Sequence, residues 1–131
     1  MKKCIALLLL VCLPGLLAGC SRPNSLELDL SYGYGVQLKL LHLNASNADR
    51  EAWIRSFQEA LEDAEPLEKD VSLFAYYPDY RLEITEDGET TAAVVDVNGD
   101  FIEFYYEGGE DQTVYRSRCS ALEFNALINR L

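Results

Sequence analysis

The sequence predicts an α+β domain: one antiparallel sheet of about five to six strands with two helices packed on one of its faces. Three observations carry this. Apolar and polar residues alternate over 26–31, and strand-like runs recur at 80–86, 90–97, 100–107 and 112–116; alternation is the period of a half-buried strand. Residues 48–65 and 118–130 instead repeat apolar positions every three or four residues, as amphipathic helices do. Asp87-Gly88, Asn98-Gly99 and Gly108-Gly109 punctuate the strand-like runs, and such pairs favour tight reversals. Consecutive hairpins make an antiparallel meander whose apolar face two helices can cover. The expected order is strand(s), helix, four-stranded meander, helix, with the outer sheet face left to solvent or a partner.

Each element has its own signal. "LELDLS" (26–31) is followed by the turn "YGYG" and a second strand "VQLKLLHL" (36–43), which places Val36, Leu38 and Leu40 on one face. The first helix, Ala48 to Glu65, lines up Trp53, Phe57, Ala60, Leu61 and Ala64. Ser46 and Asp49 match a capping box, Glu51 and Arg55 form an i,i+4 pair, and Pro66 stops the helix. At Asn98-Gly99 a two-residue loop pairs Val95 with Ile102 and Ala93 with Phe104, an apolar face, and leaves Val94 with Glu103 and Ala92 with Tyr105 on the other. The terminal helix aligns Ala121, Phe124, Leu127, Ile128 and Leu131, with Ser120 and Glu123 as its capping box or Ser117 as an alternative cap.

The start of the chain has a different character. Lys2 and Lys3 precede an apolar run from Cys4 to Leu17, the layout of a secretory signal peptide. A spanning helix needs about twenty unbroken apolar residues, and this run is interrupted by Pro14-Gly15. It ends in Leu17-Ala18-Gly19-Cys20. Here the chain resembles bacterial lipoproteins, whose lipobox has a branched apolar residue, two small residues and a cysteine. The resemblance implies cleavage before Cys20, a diacylglyceryl group on its sulfur and an N-acyl chain such as palmitate on the new amino terminus. Two lipid chains suffice for stable anchoring where one does not. The expected organisation is a signal peptide at 1–19, a lipidated Cys20 with a short spacer to residue 25, and one domain over 26–131. The expected location is the outer, extracytoplasmic face of the cell membrane.

Removal of 1–19 leaves 112 residues, enough for one modest core. Lys2 and Lys3 leave with the leader, so nine basic residues face 22 acidic ones and the mature formal charge is −13. Such a surface repels nucleic acid and anionic headgroups. The membrane is therefore expected to hold the protein by the anchor alone, and any soluble partner is a protein, a basic peptide or a carbohydrate. Asn44-Ala45-Ser46 has the form of a glycosylation sequon, which a bacterial lipobox makes irrelevant. With Cys4 and Cys12 in the leader and Cys20 lipidated, Cys119 has no partner, so neither a disulfide framework nor a cysteine zinc site is expected.

"LEDAEPLEKDVSLFAYYPDYRLEI" leading to "VYRSRCSALEFNALINRL" resembles a group of small lipoproteins of Gram-positive, spore-forming bacteria. The matching features are Pro78-Asp79-Tyr80, Leu82-Glu83-Ile84 and Tyr115. "TTAAVVDV" departs from the pattern by lacking the group's third-strand aromatic. The group has no established activity, so no functional residue carries across.

No residue pattern supplies an enzyme, a metal site or a cofactor beyond the lipid on Cys20. Asp96 to Asp100 opens like an EF-hand loop but has Phe101 where that loop needs glycine, and strands on either side, so it reads as a solvated hairpin tip, with a weak cation site as the alternative. His42, the single histidine, lacks neighbours at zinc-ligand spacing. Cys119 at a helix start is either a reactive thiol or a small packing group. Glu83, Asp96 and Glu103 fall on the outer sheet face, where a carboxylate pair is the raw material of a hydrolase. Tyrosines stand out: Tyr76, Tyr77, Tyr80, Tyr105 and Tyr106 either complete the core or, with Tyr105, Tyr80 and Tyr77 foremost, form a contact surface. The sequence thus points to a non-enzymatic interaction module. The alternatives are an inhibitor or immunity-type protein that captures a basic partner, and a small carboxylate-dependent hydrolase.

Overall fold

The computed structural model describes residues 25–74, 78–109 and 112–130. The leader, Cys20, Tyr76, Tyr77 and Leu131 lie outside the described residues. The chain folds into β1 (Leu26–Tyr32), β2 (Lys39–Leu43), α1 (Arg50–Glu62), β3 (Ala64–Leu67), β4 (Tyr80–Glu86), β5 (Glu89–Asn98), β6 (Phe101–Tyr106), β7 (Val114–Ser120) and α2 (Ala121–Ile128). All seven strands join one sheet in the order β2-β1-β4-β5-β6-β7-β3, each pair antiparallel. The α+β class and the four-stranded meander are as expected, and the sheet has one strand more than the upper expectation.

That extra strand is β3. The first helix ends at Glu62, earlier than its apolar period suggests, because Glu65 precedes Pro66 and the proline ring disfavours helical backbone before it. The chain extends instead, and Ala64–Leu67 pairs along β7 at the sheet edge, where a missing N–H is tolerated. At its start α1 is capped at Asp49 without a side-chain bond, so Ser46 and Asp49 make no capping box. Arg55 reaches across to Glu86 at 2.7 Å and bonds Gln58, not Glu51. At α2 both reciprocal bonds of the Ser120–Glu123 box are present, at 2.9 and 3.1 Å. The other possible cap, Ser117, is buried and its hydroxyl donates to the Ala60 carbonyl.

The hairpin register departs from expectation by two residues. Asn98 faces Phe101, Val97 faces Ile102 and Val95 faces Phe104, so the two loop residues are Gly99 and Asp100. Gly99 takes φ +62 at the first of the two turn positions, the place where a type II′ turn requires glycine. A shift of two keeps every side chain on its face. It does, however, set Asp96 directly opposite Glu103.

Both helices cover the apolar face. Ile54, Phe57 and Leu61 of α1 and Phe124 of α2 pack with Leu28, Leu30, Leu82, Val95 and Phe104 of the sheet. Phe57 meets Phe124 edge-on at 5.6 Å, and the Trp53 indole donates to the Leu127 carbonyl at 2.8 Å. The outer face is not left bare. Because β3 sits at one edge and β4 in the middle, the chain returns across the outer side through a 3-10 turn at Val71–Phe74. Phe74 is buried there against Tyr105, with ring centroids 5.6 Å apart.

Candidate functional site

The strand directions sort the molecule into two ends. Leu26 faces Glu86, and the Asp87 N–H donates to the Ser25 carbonyl at 2.9 Å, so the described chain begins at the end that carries the Glu86–Glu89 turn. Seven residues of β4 then span roughly 20 Å to the other end. There Tyr32 faces Tyr80, Phe101 faces Ser120, and Ala121 opens α2 with its N–H on the Asp100 carbonyl. This far end gathers the β1–β2 loop, the Pro78-Asp79 segment, the β5–β6 turn and the first turn of α2.

Every large apolar side chain exposed among the described residues belongs to this far end. Val36 is 79% exposed, Leu38 60% and Tyr34 59%, all in the β1–β2 loop. Tyr32, Val97 and Phe101 are exposed at the far ends of β1, β5 and β6, and Leu122 is 80% exposed on α2. The sequence places Val36 and Leu38 in the second strand, on one face with Leu40. The strand instead starts at Lys39, because the Leu38 N–H turns back to the Val36 carbonyl at 2.7 Å, a three-residue reversal that removes both side chains from the ladder. The loop is held to the body at Gly33, whose N–H donates to the Asp79 carbonyl; a side chain there would meet the Pro78 carbonyl at 2.7 Å.

Asp79 ties this end together. Its carboxylate accepts the Val97 N–H at 2.7 Å and shares a hydrogen bond with Asp96. Burial, that hydrogen bond and the Asp79 charge push the Asp96 carboxyl up to about 6. The folded chain therefore holds an extra proton between about pH 4 and pH 6, so stability falls as pH rises through that window and stays lower above it. Asp96→Asn is expected to remove this slope and to stabilise the fold at pH 7.5 by about 1 kcal/mol, a figure reduced for solvent screening. Urea denaturation at pH 4.5 and 7.5 checks it; an unchanged slope would count against the pairing.

Opposite Asp96, Glu103 is 1% exposed. Its oxygens accept from Lys69 at 2.5 Å, Asn98 at 3.2 Å and Arg116 at 3.3 Å. A carboxylate so sealed and so fully bonded is suited to holding the crossover segment on the sheet, not to reaching a glycosidic bond. Glu83 lies two strands away, facing Ala92 and Asp29, and is bonded to Arg81, which also grips Glu107. Glu83 and Glu103 thus belong to separate ion-pair networks, while Asp96 lies beside Glu103 and is bonded to Asp79.

The remaining sequence candidates are placed as follows. Tyr80 is half-buried between Tyr32 and Phe124, at 6.3 and 5.9 Å. Tyr105 lies on the outer face under Phe74, and Tyr106 packs with Phe104 and Tyr115. Tyr77 lies outside the described residues. His42 is on the surface, with Nδ1 2.6 Å from Asp29 and Nε2 3.0 Å from the Asn44 amide, which donates to it. An amide thus occupies the nitrogen that would activate a nucleophile. The Cys119 thiol is pushed up to about 11 by burial and by Glu123, far from a reactive thiolate. Among the described residues no His, Cys, Asp or Glu group is arranged to hold a metal ion, and no helix is long and apolar enough to cross a membrane.

At the near end a cleft of about 630 Å³ opens between α1 and the β4–β5 turn. Leu61, Ile84 and Tyr106 form its floor, and Glu62, Glu86, Asp87 and Glu89 its rim. The sequence shows the acids but not their convergence, since α1 and the turn are distant along the chain. Compared with known proteins, the chain matches no family model, no curated protein and no solved structure.

Proposed function

We propose that this protein is a bacterial lipoprotein, cut before Cys20 and held by lipid on that residue at the outer face of the cell membrane, where its domain serves as a non-enzymatic interaction module. The observation that carries the reading is the division between the two ends. The described chain begins at the acidic end, and the exposed apolar side chains gather at the opposite one. A tether entering beside Glu86 and Asp87 lets anionic headgroups repel that end and turns the apolar end outward. Apolar residues exposed together at one end of a strongly charged domain favour an interaction surface there. The sealing of Glu103, the ion pairing of Glu83 with Arg81 and the capped imidazole of His42 favour binding over catalysis.

Cys20→Ser is the direct test of the anchor. The wild-type chain is expected in the membrane fraction and the variant in the soluble extracytoplasmic fraction. An equal distribution of both would remove the anchor.

A second reading, an inhibitor or immunity-type protein that captures a basic partner, is favoured by the carboxylate-rimmed cleft. Binding through that cleft weakens steeply as salt is added and is reduced by Glu62→Gln with Glu89→Gln.

A further inference from the structure

Resting on the anchored reading, we propose that the far end docks a segment of a different polypeptide, one that carries an apolar ridge flanked by lysine or arginine. Its own lipid bilayer is the poorer occupant, because the described chain begins at the opposite end, roughly 20 Å away along β4, and anionic headgroups repel the −13 charge of the mature chain. A second copy is disfavoured by charge, since each copy carries the same −13.

The basic flanks follow from the charges around the apolar residues. The cations near this end are already committed: Lys39 to Asp29 at 2.9 Å, and Lys69 and Arg116 to Glu103. Asp100, in the β5–β6 turn beside Phe101, has no ion-pair partner among the described residues, and Glu123, next to Leu122, adds an exposed carboxylate that accepts the Ser120 N–H. Val36 and Leu38 supply apolar area, and the fringe supplies attraction for cations and rejection of acidic partners.

The test uses the complete mature chain with Cys20→Ser, so that loss of lipid and loss of docking are read separately. The probes are two short peptides, one alternating leucine with lysine and one alternating leucine with glutamate. Amide chemical shifts on titration with the lysine peptide are expected to move at 34–38, 97–101 and 122, with saturation. Val36→Ser with Leu38→Ser, both exposed and outside the core, is expected to weaken binding about tenfold while the remaining spectrum is unchanged. The glutamate peptide is expected not to bind. Shifts centred on Glu62, Glu86 and Glu89, equal binding of both peptides, or no saturable shift would each overturn the proposal. The membrane fractionation of Cys20→Ser decides the anchored reading whichever result is obtained.

Discussion

Phe57→Ala is expected to cost about 4 kcal/mol of folding stability, the largest loss from any single side chain considered. Phe57 is fully buried on α1 and meets Phe124 of α2 edge-on, so it joins both helices to the sheet at one point. Truncation removes the transfer free energy of the ring and leaves a cavity whose walls belong to three different elements. Those walls cannot close together without moving a helix. Small domains are stable by only about 5–15 kcal/mol, so a substantial unfolded fraction at moderate temperature is expected. Urea denaturation of the two forms measures the difference. Leu122→Ala is the control: that side chain is 80% exposed and its loss should be within about 0.5 kcal/mol. A Phe57 variant as stable as the control would mean that the helices do not share a core.

Lys69→Met should cost about 3 kcal/mol, because it leaves the sealed Glu103 carboxylate short of its main counter-charge. Burial works against ionisation of Glu103. Hydrogen bonds from Lys69, Asn98 and Arg116, with the Lys69 charge, outweigh it and hold the carboxyl below its usual range. The contribution of this network is therefore present above about pH 4.5 and is lost as pH falls below it. In Lys69→Met the stability loss should shrink in acid, where Glu103 is protonated in both forms. Lys69→Met combined with Glu103→Leu should recover most of the loss, since an apolar pair of similar volume replaces a buried ion pair at little cost. A double variant no better than the single one would show that the crossover segment depends on the charges themselves.

The parts of the fold that follow a local rule are legible in the sequence. Tyr80–Glu86 alternates cleanly and is a strand over those same residues. Ser120 and Glu123 announce the start of α2 and make both bonds of the box. Where two rules compete, the reading slips. Asn98-Gly99 signals a hairpin, but glycine alone fills the strained position, and the loop moves by one residue to Gly99-Asp100. Apolar period continues α1 to Glu65, while Pro66 disfavours helical backbone before it and the chain extends into β3. The candidate site was the least legible part. "VQLKLLHL" alternates in the same way whether its first half enters a strand or leaves the sheet, and only the turn at Gln37 exposes Val36 and Leu38. Lys69 and Glu103 are 34 positions apart, so nothing local reveals their pairing.

The central claim is an orientation: anchor at one end, apolar contact surface at the other. It is tested most directly by depth measurement on the lipidated protein in vesicles, with a label placed at Leu38→Cys or at Asp87→Cys in a Cys119→Ser background. Energy transfer to a headgroup acceptor should place the label at position 38 roughly 20 Å farther from the bilayer than the label at position 87. Equal depths, or a label at position 38 nearer the headgroups, would contradict the account.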